Sequence, residues 1–173
     1  MKKLIYRMYG FVPYNISGRQ AGIQNHHASA VYSAKYFSAA YKQWALKDGT
    51  VIMLDGGTTN NNKPSTMTDI VKELKTNKIK HTLFYEEDLN DALTGIALLV
   101  DSRVFDRKDY PGPFEGSDNK TLVDIEKVDP SKRFDYFLND DDADHYKKWA
   151  KSIGGPSIVF LRYYLPKFRL ANN

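Results

Sequence analysis

The chain has 173 residues, 13% of them aromatic, a charged fraction of 27% and a net charge of +4. With no Cys, disulfide frameworks, thiolate metal sites and cysteine nucleophiles are excluded, and only His and carboxylates remain as metal donors. Twelve Tyr and nine Phe are too many aromatics for a disordered chain, and the length predicts one domain over 1–173: a core over 1–101, an insertion or loop region over 102–135 and a helical extension over 136–173. The opening Met1-Lys2-Lys3 is followed by Arg7 rather than by the apolar run of a signal peptide, and no stretch approaches the ~18 apolar residues of a membrane span, which predicts a cytoplasmic protein with no membrane partner.

Leu4 to Val12 alternates as a strand and Pro13 ends it. Ser17 and Gln20 have the spacing of a capping box, and Ile23, Val31, Ala34, Phe37, Tyr41 and Trp44 recur at helical intervals, so the pattern predicts one long helix from Ser17 to Leu46, stopped by Asp48-Gly49. Thr50 to Leu54 is a short apolar run between turn signals and predicts a strand buried on both faces. Thr58 to Ser65 reads as an exposed loop; Met67, Ile70, Val71 and Leu74 mark a second helix ending near Asn77. Ile79 to Tyr85 and Ala92 to Val100 are the next strands.

From Asp101 to Phe134 the Pro, Gly and charged residues predict an insertion, with one strand-like piece at Leu122 to Ile125. Asp140 to Ile153 predicts a helix ended by Gly154-Gly155, and Pro156 to Leu170 a second one broken at Pro166. The fold class is therefore α/β: a mixed four-stranded sheet flanked by helices, with a C-terminal insertion and terminal helices.

At ~100° per residue, Gln20, Gln24 and His27 share a ~60° wedge at the start of the first helix. Either these are ligand contacts, with Arg19 meeting an anion and the amides of Gly18, Arg19 and Gln20 cradling a phosphate, or they are a capped helix start on a solvated edge. Three other groups have two readings each. Asp140, Asp141, Asp142, Asp144 and His145 suit a metal or a helix cap; Asp55-Gly56-Gly57-Thr58-Thr59 suits a phosphate-binding or a plain turn. Arg162, Lys167 and Arg169 among Tyr163, Tyr164 and Phe168 suit a nucleic-acid contact or a snorkelling tail helix.

The segment from Arg19 to Ala28 resembles the first-helix motif of type 2 peptidyl-tRNA hydrolases, in which Gln24, His27 and Ala28 match at the family's spacing. The resemblance extends over roughly the first hundred residues, through the order of strands and helices. It implies a site at the start of that helix, an acidic residue from the connection before the last strand, here Asp88 or Asp91, and a homodimer. The exposed apolar tail residues Tyr163, Tyr164, Leu165 and Phe168 point to a dimer as well. Two positions depart from the family: Gln20 stands where it places Lys, and Glu86 to Ala92 replaces its Asp-Ala-Gly-x-Thr connection.

These departures favour a binding protein that retains the site without catalytic residues and sequesters a phosphate-bearing nucleotide, without a cofactor. Some small phage proteins use such folds in this way against nucleotide immune signals (Sequestin-like members); such a protein would work in the host cytoplasm. The alternatives are an active peptidyl-tRNA hydrolase gripping tRNA through Lys72, Lys75, Lys78 and Lys80, and a protein-interaction module.

Overall fold

Four strands form one mixed sheet in the order β2-β1-β4-β3. They are β1 (Tyr6–Val12), β2 (Val51–Asp55), β3 (Thr82–Glu86) and β4 (Ala92–Asp101). β1 runs parallel to β2 and antiparallel to β4, and β3 runs antiparallel to β4. The computed structural model describes residues 3–60, 64–115, 125–137 and 139–171. The α/β class with a mixed four-stranded sheet and terminal helices is the observed one. Among the described residues, no helix is long and apolar enough to cross a membrane. The chain forms two compact units, Met1–Asp101 with Phe168–Asn173, and Ser102–Lys167.

In the first unit, β1 and β4 are central and lose most of their surface, whereas β2 lies at an edge. The Val-Ile-Met-Leu run of β2 is therefore not buried on both faces as its composition predicts: only Leu54 is buried and Val51 is exposed. The C-terminal segment reaches it through a bridge from Leu54 to Leu170. An apolar run has the same composition whether a neighbour stands on one side or two, so the sequence does not distinguish these cases.

The predicted long helix is two helices and a wide turn. Helix α1 (Gly18–Lys35) stops at Tyr36, and Ser38 caps the short α2 (Ala39–Gln43) through the Tyr41 amide. A π-turn over Trp44–Asp48 follows and ends on Gly49 at φ 63°, where the left-handed backbone suits glycine. The apolar period continues across the break because Tyr41 and Trp44 belong to the same cluster as Tyr32 of α1 and Tyr36 that caps it. Helix α3 (Thr66–Thr76) buries Met67, Ile70, Val71 and Leu74 as their spacing predicts, and Ser65 with Thr68 caps its start.

Helix α1 rests on the sheet at points where side chains are missing or small. A Cβ on Gly95 of β4 would stand 2.7 Å from the Gln24 carbonyl oxygen, and a Cβ on Gly10 of β1 would collide with the Asn25 side chain. Gly22 is the opposite case: it lies within α1 and a Cβ there meets nothing within 4 Å. Gly22→Ala should therefore stabilise the protein by about 0.5–1 kcal/mol, seen as a higher urea midpoint, since glycine in a helix interior loses more backbone entropy on folding than alanine.

Among the described residues, the second unit contains α4 (Ser102–Phe105), α5 (Asp140–Ser152), α6 (Pro156–Tyr164) and 3-10 turns at Ile125–Lys127, Pro130–Tyr136 and Leu165–Lys167. Its core joins Phe114, Ile125, Tyr146, Ile153 and Val159. Of the strand predicted at Leu122 to Ile125, only Ile125 lies within the described residues, and it opens the 3-10 turn Ile125–Lys127 as a core residue. Helix α6 gives way at Leu165 to a 3-10 turn containing Pro166, where proline removes a helical donor.

Candidate functional site

The predicted motif lies at the start of α1, beside the ends of β3 and β4. Ser17 and Gln20 form the capping box that their spacing predicts: the Gln20 amide donates to Ser17 Oγ at 3.3 Å, and Gln20 Oε1 accepts from the Ser17 amide at 3.1 Å. This corrects part of the proposed cradle. The Gln20 amide is spent on Ser17 Oγ and its side chain is held by Ser17, and among the described residues only the Gly18 and Arg19 amides stay unpaired at the helix start. Arg19 is exposed and forms no ion pair among those residues.

Gln24 points inward, 8% exposed. Its Nε2 donates to Glu86 Oε2 at 2.6 Å, and its Oε1 accepts from Thr94 Oγ1 at 2.7 Å. A bulge makes this meeting possible. Phe84 pairs with Gly95 and Tyr85 with Leu93, which leaves Thr94 as an extra residue in β4. Thr94 and Gly95 then both face α1, although consecutive residues of a regular strand face opposite ways.

His27 lies one helical turn further along, with its ring 4.4 Å from that of Phe84. Its Nδ1 is buried without a hydrogen-bond partner among the described residues, as is Asn25 Oδ1. His27 is thus packed against an aromatic ring, and Gln24 is bonded at both ends of its amide.

The predicted acidic residues, Asp88 and Asp91, form no bond with this group among the described residues. Asp88 lies exposed in the 3-10 turn Glu87–Leu89, and Glu86 is the carboxylate that meets α1. Asp91 follows Asn90 in left-handed backbone, at φ 57° and 51°. Both side chains are types that tolerate this conformation. Asp91 borders a cleft of about 480 Å3 with Asn60, Thr68, Asp69, Lys72 and Tyr85. Phe84 and Glu86 face α1, so Tyr85 between them faces away, toward α3. Two carboxylates against one ammonium make this cleft a poor seat for phosphate, although Tyr85 and Asp91 suit the face and donor edge of a flat polar ring.

Neither a family model nor a curated protein matches the chain. Gln24 and His27 both meet β3, through Glu86 and Phe84. Thr94 and Glu86 belong to the same polar group, and sequence reading missed both. Thr94 sits inside an apolar run, and Glu86 is one of several acidic residues in a row.

The other candidate groups have structural duties. The Asp55-Gly56-Gly57 turn spends its amides internally: Gly56 donates to the Val12 carbonyl and Gly57 to Asp55 Oδ1, both at 2.8 Å. Asn139 caps α5 with Asp140 to Asp142 in the first turn, and His145 Nε2 lies 2.7 Å from the Pro113 carbonyl. No metal-holding group of His and carboxylates exists among the described residues. Arg162 does not snorkel: it is 3% exposed and donates to the Arg103 and Tyr110 carbonyls. Arg169 pairs with Asp55. The tail is not left wet either, because Tyr164 and Leu165 are buried and Phe168 packs edge-on against Phe11, with ring centroids 4.8 Å apart.

Proposed function

We propose that the protein binds a phosphate-bearing nucleotide at the start of α1 and holds it without hydrolysis. The observation that carries this reading is the closed bonding of Gln24, whose amide meets Glu86 and Thr94, with the Gln20 oxygen turned back onto the Ser17 amide. Ester hydrolysis needs polar groups that polarise a carbonyl and orient water, and an amide already satisfied on both sides does neither. Binding asks for less. The open amides of Gly18 and Arg19 favour an anion at the positive end of an 18-residue helix, and the Arg19 guanidinium adds a fork that matches phosphate oxygens. In this reading the resemblance to peptidyl-tRNA hydrolases is one of scaffold, with the family's catalytic lysine position filled by a capping glutamine.

Calorimetric titration with linear and cyclic nucleotides tests the reading. Arg19→Ala should weaken binding roughly 10- to 100-fold at low salt, the worth of about 1.5–3 kcal/mol for hydrogen bonds to a charged group, and the difference should shrink as salt rises. Equal affinity of wild type and variant across the salt range would remove Arg19 from the site. Steady release of product from aminoacyl-blocked tRNA, abolished in His27→Ala, would replace the binding reading with the hydrolase.

A further inference from the structure

The sheet covers part of one edge and leaves the other open. At β2 the Asp55 amide donates to the Arg169 carbonyl and the Ala171 amide to the Met53 carbonyl, both at 2.9 Å. At β3 nothing does the same: among the described residues, the backbone of Thr82–Glu86 bonds to no strand but β4. Proteins guard such an edge with proline, with charge or with a bulge in the edge strand, because its unpaired amides and carbonyls are a template for another strand. Thr82 to Tyr85 carry neither proline nor charge, and the bulge has its extra residue in β4.

The charges beside this edge are sorted by end. Lys80 and His81 precede β3, and Glu86, Glu87 and Asp88 close it. Burial holds the His81 pKa down and the charges of Lys75 and Lys35 lower it further, which sets a lysine from α3 and one from the end of α1 near the start of the strand. Lys80 and Asp88 are both exposed and form no ion pair among the described residues. A strand that begins positive and ends negative complements itself once it is turned round.

We propose that β3 is the contact between two copies of this chain, paired antiparallel about a two-fold axis through Phe84. Opposite residues of an antiparallel pair share a face, and a two-fold perpendicular to the sheet preserves faces, so the axis passes through a residue and not between two. Phe84 is the middle residue of Thr82–Glu86. It then meets itself on the α1 face, and Leu83 meets the partner's Tyr85, a side chain 47% exposed in the single chain, on the other. Lys80 comes beside the partner's Asp88 and His81 beside the partner's Glu87, each pairing occurring twice. The tail, which the sequence offers as the dimer contact, is packed within the chain instead.

The helix layer agrees with this axis. Helix α1 runs along β3 in the opposite direction: Gln24 meets Glu86, His27 meets Phe84, and the Ala28 carbonyl accepts from Thr82. Val31 follows Gln24 by seven residues and His27 by four, so it lies on the same side of the helix, and it is 37% exposed. The two-fold sets both α1 helices on one face of the joined sheet with these sides toward each other. A seam of five residues is only about 17 Å long, which places the pairing in the micromolar range of small interfaces.

Sedimentation velocity of the full-length chain over micromolar concentrations should show a monomer–dimer equilibrium. Lys80→Glu and Asp88→Lys each set like charges across the seam twice and should weaken the dimer about tenfold or more. Mixed in equal amounts, the two variants should pair with each other at near wild-type affinity, because opposite charges then meet at both places. The β3 amides that face away from β4 should exchange with deuterium more slowly as the chain concentration rises. Arg19→Ala should leave the dimer unchanged, so loss of nucleotide binding in that variant bears on the α1 reading alone. A dimer of undiminished affinity in either variant, or a mixture no tighter than its components, would overturn the proposal. A monomer at submillimolar concentration would overturn it as well, and with those β3 amides protected it would assign the edge to a segment of the same chain.

Discussion

Arg133→Ala should destabilise the 102–167 unit by about 3–5 kcal/mol. Arg133 is 1% exposed, and its guanidinium holds three acceptors at 2.9 Å: Nε donates to the Val128 carbonyl, Nη2 to the Glu126 carbonyl and Nη1 to the Tyr146 hydroxyl. Its charge also lies over the rings of Tyr146 and Tyr163. Truncation leaves these oxygens without their donor, each at a cost on the order of 1–3 kcal/mol where buried, and opens a cavity the size of a long side chain. Arg133→Met fills much of that space without donating, so its loss should be smaller than that of the alanine variant. The two Trp residues make the measurement local: in a Trp44→Phe background, Trp149 fluorescence follows the second unit, where it packs against the core. A second readout is the Tyr146 phenol. Burial raises its pKa and Arg133 lowers it, so the variant should titrate at higher pH than the wild type. A loss below about 1 kcal/mol would show that water replaces the guanidinium without difficulty.

Arg133 also shows where sequence reading runs out. Charged residues are read as surface, and nothing in Ser131-Lys132-Arg133 separates the buried cation from the exposed lysine beside it. Local signals were readable. Ser17 and Gln20, and the Met67, Ile70, Val71 and Leu74 stripe, specify their helices through neighbours three and four residues away, and the structure has both. Partners distant in sequence were not readable. Whether β2 is an edge depends on strand order, and the end of α1 at Tyr36 is hidden because the aromatic period resumes beyond it. The candidate site divides along the same line. Ser17-Gly18-Arg19-Gln20 is a local pattern, but the bond from Gln24 to Thr94 spans 70 residues and depends on a bulge that no residue type announces. The family resemblance implies Asp88 or Asp91 as the acidic member of the α1 group, whereas two left-handed residues turn the strand end and put Asp91 in the cleft beside α3.

Gly95→Ala should cost about 3 kcal/mol, and the companion change Ala28→Gly should not restore it. The added methyl would stand 2.7 Å from the Gln24 carbonyl oxygen and 3.0 Å from Ala28 Cβ. The second approach involves a side chain that can be removed; the first involves helix backbone and remains when Ala28 becomes glycine. To make room, α1 must lift from β4. Two buried hydrogen bonds resist that movement, from Thr82 Oγ1 to the Ala28 carbonyl at 2.8 Å and from Thr94 Oγ1 to Gln24 Oε1 at 2.7 Å. Stretching them adds to the overpacking, because a hydrogen bond weakens as donor and acceptor separate. Urea unfolding followed through Trp44, in a Trp149→Phe background, reads the first unit alone; full recovery in the double variant would mean that the side-chain contact, not the backbone, sets the distance between helix and sheet. The same shift would move the start of α1 relative to the ends of β3 and β4, so the nucleotide binding proposed there should weaken in Gly95→Ala at temperatures where it is still folded.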